Sequence, residues 1–410
     1  MTTSTKNALV AAGAAVSVAL LGGATAASGA TTSSTATAAP AASASPGTGW
    51  AGVTREPVSI AMGQGWTAGG ELDYPAGATG RLPVLVLLHG SGHNDRDQTL
   101  PGGAGSTFVP IAQAAVAKGY AVLRFDKRGV TGVGPVLSTD AAQLAPARPY
   151  RRIVEDAAAV VRFAARSPHV DPSKIFLLGH SEGTQVASNL AAHPGTYGIP
   201  RPAGVVEMGV VGIEVEQLIT FQVFGVKLAR LHEQFDVDGD GTLTYREAVG
   251  GLVGQSRANR ALLRPVLLRG SRVNPTTDRN HDGRISIDGE VGPVLRKAAG
   301  VDRYPDLTGV DAATRSYLAD IARYPTAAQE LPRYGGPVLL LNGQDDIQTP
   351  VRAAIVTDAA LSAARVEDHT LITYVGTAHT MNRTPKLDPK YGPPDTSVVA
   401  DISRWLEAHR

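Results

Sequence analysis

The chain holds 410 residues, 43% of them hydrophobic and 18% charged, a globular composition that excludes wholesale disorder and fibrous repeats. Lys and Arg number 38 against 37 Asp and Glu, a formal charge of +1, so the cationic excess of a nucleic-acid binder is missing. Cysteine is absent, which excludes disulfides, thiolate metal sites and a cysteine nucleophile; a chain this long can bury enough core to do without disulfides.

At the start of the chain Lys6 precedes an uncharged apolar run from Ala8 to Leu21, followed by small residues around Ala24-Thr25-Ala26 and Ala26-Ala27-Ser28. That order predicts a secretory signal peptide over 1–28, with cleavage and export. The run of about 14 residues is shorter than the roughly 20 a spanning helix needs, so no stable membrane anchor is expected. Residues 29–49 are Ala, Thr, Ser, Pro and Gly, which cannot bury apolar surface, and they read as a flexible linker.

From Trp50 onward strand-like and helix-like segments alternate, as a βαβ series requires. Thr54–Met62 and Gly65–Tyr74 suit an opening antiparallel pair. The run Pro83–Leu88 is wholly apolar, the mark of a strand buried on both faces. Further strands are expected at Tyr120–Phe125, Lys174–Leu178, Ala203–Val211, Pro337–Leu341 and Thr370–Val375. Helices are expected at Ser106–Lys118, Tyr150–Ala165, Glu182–Ala192, Arg352–Ala363 and Thr396–Ala408. Between Gly212 and about Glu330 the rhythm breaks into a helical stretch with acidic patches. The expected organisation is therefore a core over 50–212 and 331–410 with an inserted cap over 213–330.

Lys174–Leu178 runs into Gly179-His180-Ser181-Glu182-Gly183 and then a helix, the strand–turn–helix context that gives G-x-S-x-G its meaning. Ser181 is the candidate nucleophile, and the Glu182 N–H at the helix start is a candidate oxyanion donor. A serine nucleophile needs a base, and the base an orienting acid. His379 follows the last expected strand and is the candidate base. The acid is Asp345 or Asp346, in the loop after Pro337–Leu341, with Asp346 favoured. The loop His89-Gly90-Ser91-Gly92 should supply the second oxyanion donor, from Ser91 or else Gly92, with His89 holding the loop.

Together LLHGSG at 87–92, FDKRG at 125–129, GHSEG at 179–183, GQDD at 343–346 and the late His379 resemble the α/β-hydrolase superfamily over about 50–212 and 331–410. The closer likeness is to bacterial esterase-like hydrolases with loops like those at His89–Asp97 and Asp126–Gly129. The resemblance implies an α/β fold, with a mostly parallel central sheet flanked by helices, beside the helical insertion. It implies Asp346 as the acid, and that the loop bearing Asp95, Arg96 and Asp97 lines the site entrance; these three charges read equally as a salt-bridged loop. His93 departs from this subgroup, which often has proline there.

Within the insertion, Asp236, Asp238 and Asp240, Gly241, Thr242, Leu243 and Glu247 match the twelve-residue calcium loop position by position. Gly225–Phe235 reads as the entering helix, and the stretch resembles an EF-hand. A second loop offers Asp278, Asn280, Asp282 and Arg284, but its twelfth position is Gly289 and Glu290 stands one place late. That loop is either degenerate or completed by Glu290 through a bulge. A short two-stranded bridge between the segments around Leu243 and Ile285 would pair the loops. The ion is expected to be Ca2+ in a structural role: one occupied site is expected, with the second open.

The combined expectation is a secreted serine hydrolase acting on small-molecule carboxylic esters, with no nucleic-acid partner and no cofactor for the chemistry. A peptidase or acyltransferase using the same residues, or a non-catalytic calcium-dependent binding protein, are the competing readings.

Overall fold

Successive side chains on a strand face opposite ways, so a sheet covered on both sides needs apolar residues at every position. Leu82–Leu88 is such a strand, buried along its whole length. Val84, Val86 and Leu88 enter the core on one face of the sheet, while Leu85 and Leu87 enter the core on the other. The computed structural model describes residues 50–410, so the signal peptide and linker expected before Trp50 lie outside the described residues.

Eight strands form the main sheet: β1 (Val53–Gly63), β2 (Trp66–Pro75), β3 (Leu82–Leu88), β4 (Ala121–Phe125), β5 (Val170–His180), β6 (Gly204–Met208), β7 (Val338–Gly343) and β8 (His369–Tyr374). Their spatial order is β1-β2-β4-β3-β5-β6-β7-β8. β1 pairs antiparallel with β2 and β2 antiparallel with β4; every other pairing is parallel.

The flanking helices are α1 (Phe108–Ala117), α2 (Pro149–Arg166) and α3 (Glu182–Ala192), and later α9 (Ala327–Tyr334), α10 (Val351–Ala363) and α11 (Thr396–Ala408). Phe108 and Ile111 of α1 and Ile402 and Leu406 of α11 cover one face. Val154 and Val161 of α2, Val186 and Leu190 of α3, Leu331 of α9 and Leu361 of α10 cover the other.

β6 and β7 are neighbours in the sheet, so the long stretch between them leaves the sheet and returns beside its point of departure. It contains α4 (Val226–Gln234), α5 (Tyr245–Leu252), α6 (Arg257–Leu267), α7 (Gly292–Ala299) and α8 (Ala312–Ile321). Leu231, Phe235, Leu243, Leu263, Ile285 and Leu295 belong to an apolar core of this stretch's own. The helical path into the first acidic loop begins at Val215, earlier than Gly225, passing through a π turn at Phe221–Gly225 before α4. β6 stops at Met208, short of the expected Val211, because Gly209 turns to a φ of 69° and the Val210 N–H is diverted to Asn342 Oδ1. Among the described residues, no helix is long and apolar enough to cross a membrane.

Candidate active site

Ser181 lies between β5 and α3 with φ 56° and ψ −121°, a conformation that costs a non-glycine residue energy and lifts its side chain out of the turn. The flanking glycines make the turn sterically feasible. A Cβ on Gly179 would stand 2.2 Å from the Gly183 carbonyl oxygen, and one on Gly183 would stand 2.2 Å from the Leu88 carbonyl oxygen.

His379 and Asp346 follow β8 and β7, and Ser91 follows β3, so all four positions gather at the C-terminal edge of the parallel strands, where open α/β sheets bind ligands. His379 Nδ1 is 2.8 Å from Asp346 Oδ2. Asp346 Oδ1 accepts from the N–H groups of Gln348 and Thr349 at 2.7 and 2.9 Å, and Oδ2 accepts from Thr349 Oγ1 at 2.7 Å. Burial alone would raise the Asp346 pKa, but the charge of His379 and the hydrogen bonds from His379 and Thr349 prevail and hold it below the usual carboxylate value. The neighbouring Asp345 is only half-buried, and its side chain makes no bond to His379. Of the two candidate acids, Asp346 is thus the one joined to the imidazole.

Ser181, His379, Ser91 and Gln348 line one cleft of about 90 Å3. Among the described residues no hydrogen bond links the Ser181 hydroxyl to His379, a contact that often tightens only once substrate is present. Among the described residues, the N–H groups of Ser91 and Glu182 donate to no other group. A cavity of about 370 Å3, walled by Phe125, Ile153 and Val186, lies beyond Glu182 and Tyr317, and neither Ser181 nor His379 lines it. The candidate nucleophile and the candidate base both line the smaller space.

Two connections had no clear sequence signal. Gly90 N–H donates to Gln98 Oε1 at 2.8 Å, which turns the Gln98 amide nitrogen toward His180 Nδ1, 2.7 Å away. His180 Nε2 then carries the proton and donates to the His379 carbonyl at 3.0 Å. The loop after β3 and the loop bearing His379 are tied together through this neutral ring, whose pKa burial and the neighbouring His379 push down to about 3. The second connection comes from the inserted stretch: Tyr317 of α8 donates to the Glu182 carboxylate, with its hydroxyl 3.5 Å from Ser91 Oγ.

Asn94 and Gln98 of this loop line the cleft, while Asp95, Arg96 and Asp97 do not, and Arg96 and Asp97 form the salt bridges of the alternative reading. Asp95 and Asp97 are buried, and Asp97 pairs with the fully buried Arg124 of β4, which also binds Asp73. Arg96 binds Asp126 through its backbone N–H, Nε and Nη2. Desolvated charges need such partners, and these lie inward, under the loop. His89 is buried and packs against the rings of Phe108 and Phe125, as a loop-holding residue would.

The sequence from Leu85 to Leu387 matches the model of the Alpha/beta hydrolase family. The chain belongs to that family. A stretch of 131 residues, 32% of the chain, is 33% identical to Esterase EstD of Thermotoga maritima and spans 28% of that protein's length. Solved structures similar to this hydrolase include Est1E from Butyrivibrio proteoclasticus, 14% identical with a TM-score of 0.43, covering 86% of this chain and 98% of that one. Another is carboxyl esterase 2 from Tuber melanosporum, 14% identical with a TM-score of 0.47, covering 88% of each chain.

The acidic loops of the hydrolase can be tested for their fit to a cation. One carboxylate oxygen each from Asp236, Asp238 and Asp240 lies within 4.8 Å of the others. Glu247 turns back over its loop, accepting from the N–H of Val237 at 3.1 Å and from that of Thr244 at 2.9 Å. In the second loop Glu290 does the same, accepting from Arg279 N–H at 2.8 Å and Ser286 N–H at 2.9 Å. A π turn over Ile287–Val291 absorbs the extra residue and brings Glu290 round. Asp278 is buried, and among the described residues its Oδ1 has no hydrogen-bond partner. Leu243 pairs with Ile285 and Thr242 with Ser286, joining the loops by the expected short bridge. The Arg284 side chain crosses to Asp240 of the first loop at 2.5 Å, so only its backbone carbonyl is left to face its own loop. Both donor sets, all oxygen, fit a hard cation such as Ca2+.

Proposed function

We propose that this hydrolase cleaves carboxylic esters by acyl transfer to water. The observation that carries the proposal is the His379–Asp346 bond of 2.8 Å, in the same cleft as a serine held in a strained strand–helix turn. Ser181 Oγ attacks the ester carbonyl carbon while His379 Nε2 takes its proton. Asp346 holds the ring through Nδ1 and stabilises the imidazolium. The N–H groups of Ser91 and Glu182 stabilise the oxyanion. The C–O bond to the alcohol breaks as His379 returns the proton to the leaving oxygen. His379 then deprotonates a water that attacks the acyl-enzyme, releasing the acid and restoring Ser181. The partial likeness to Esterase EstD supports esters over amides as the bond cleaved.

We further propose that Ca2+ bound by Asp236, Asp238, Asp240, the Thr242 carbonyl and Glu247 stabilises the inserted stretch. Asp278, Asn280, Asp282, the Arg284 carbonyl and Glu290 would form a second site. The ion has no part in the acyl transfer. The signal-like pattern over 1–28 supports export, into a compartment where calcium is abundant.

A panel of chromogenic esters of graded acyl length, run beside aminoacyl anilides and a fluorophosphonate probe, tests the proposal. Probe labelling with turnover of esters is the expected result. Turnover of anilides alone would make the protein a peptidase, and no labelling at all would leave only a binding role.

A further inference from the structure

Building on the ester-hydrolase reading, we infer that Lys127 is the positioning residue of the oxyanion hole, fixing the peptide that presents the Ser91 N–H and neutralising the Glu182 carboxylate behind the other donor. Lys127 Nζ donates to the Gly90 carbonyl at 2.8 Å and to Glu182 Oε1 at 2.7 Å. Both side chains are almost completely removed from solvent.

A trans peptide directs its C=O and N–H in opposite directions. The Gly90 carbonyl and the Ser91 N–H belong to one peptide unit, so a cation fastened to that oxygen sets the direction of the donor. Asn94 Nδ2 reinforces it, reaching the same oxygen at 2.9 Å. Gly90 is close enough to the nucleophile that a Cβ added there would lie 3.3 Å from Ser181 Cβ. An ammonium on the carbonyl also polarises the peptide, which strengthens its N–H as a donor.

The lysine is itself held on both sides. Its own N–H donates to the Asn94 carbonyl at 3.0 Å. Before it, Asp126 is gripped by Arg96; after it, Arg128 is paired with Asp156 through two bonds of 2.8 and 2.6 Å. The turn after β4 thus fixes the ammonium, and the ammonium fixes the hole.

The second part of the role is electrostatic. Glu182 supplies one oxyanion donor from its backbone and carries a buried carboxylate on its side chain. Unneutralised, that negative charge would oppose the oxyanion forming nearby, with little water to screen it. Lys127 offsets it, and Tyr317 completes its hydrogen bonding.

The test compares Lys127→Met with the double variant Lys127→Met/Glu182→Gln, measuring kcat, KM and affinity for a boronic acid, which forms a tetrahedral adduct with an active serine. Removing an oxyanion donor outright costs about 10²–10³ in kcat, so Lys127→Met should lose roughly 30-fold or more, with KM changed less than about threefold. Boronate affinity should fall in step with kcat. The double variant should recover part of the loss, since the opposing charge is gone, yet stay below wild type because the Gly90 carbonyl lacks its ammonium. If Lys127→Met does not fold, the double variant alone decides, by its kcat and boronate affinity against wild type. Wild-type kcat and boronate affinity in the folded variants would overturn the inference, as would a loss seen only in melting temperature. A wild type that neither turns over esters nor binds the boronate would instead overturn the hydrolase reading on which the inference rests.

Discussion

Glu290 occupies in the second acidic loop the place that Glu247 occupies in the first, although it stands one residue later in its loop. Each turns back on the N–H groups at the second and ninth loop positions, Val237 and Thr244 for Glu247, Arg279 and Ser286 for Glu290. Calcium titration calorimetry should therefore find two ions per chain. Glu290→Gln and Glu247→Gln should each remove or weaken one, leaving the other site measurable. A single ion in the wild type, unchanged by Glu290→Gln, would show the second loop to be degenerate.

Removing calcium should destabilise the protein. A ligand present at about a hundred times its Kd adds about 2.7 kcal/mol to the folded state. A chelator should lower the melting temperature and open the stretch near 236–290 to proteolysis. The effect should reach catalysis even on small esters. Gln222, in the π turn of the helical path into the first loop, donates to the Gln348 carbonyl at 2.7 Å, two residues from Asp346. Arg230 of α4 binds Asp388 and the Leu387 carbonyl, in the loop beyond His379. Chelator that left both the melting curve and small-ester turnover unmoved would contradict this coupling.

The two neighbouring aspartates should behave differently. Asp346→Asn removes the anion at His379 Nδ1 and should cut turnover by about three to four powers of ten. Asp345→Asn, which alters a half-buried loop carboxylate, should leave turnover nearly unchanged. Steady-state kinetics of the two variants check this, and a reversed order would move the acid by one residue.

His180 should contribute to acid sensitivity. Its pKa falls from 6.5 to about 3 in the folded chain, chiefly by burial. Between those values the unfolded chain holds a proton there that the folded chain does not, so stability drops as pH falls through this window. His180→Gln should flatten the fall of melting temperature between pH 6.5 and 4 relative to wild type. Parallel curves would show that His180 does not titrate on unfolding.

The elements that carry the candidate site were legible because their signals are local. Strands buried on both faces read as unbroken apolar runs, and the elbow needs two glycines at fixed offsets. Asp346 was favoured over Asp345, and implied by the resemblance, before the hydrogen bond to His379 distinguished them. Asp95, Arg96 and Asp97 left two readings open, entrance loop or salt-bridged loop, because the partners of Arg96 and Asp97, Asp126 and Arg124, lie about 30 residues away in sequence. The π turn that rescues Glu290 leaves no mark in composition. Lys127, Gln98 and Tyr317 were missed because each acts through a contact between distant segments, and only Lys127 stood within a recognised motif.

The central claim is that Ser181 is the nucleophile, and the most direct measurement is hydrolysis of a chromogenic ester by Ser181→Ala beside the wild type. Turnover by the variant should fall below about a thousandth of wild type, the level that an oxyanion hole and binding alone can sustain. Fluorophosphonate labelling should vanish, and the melting temperature should stay close to wild type. A folded Ser181→Ala protein that keeps substantial esterase activity would contradict the account.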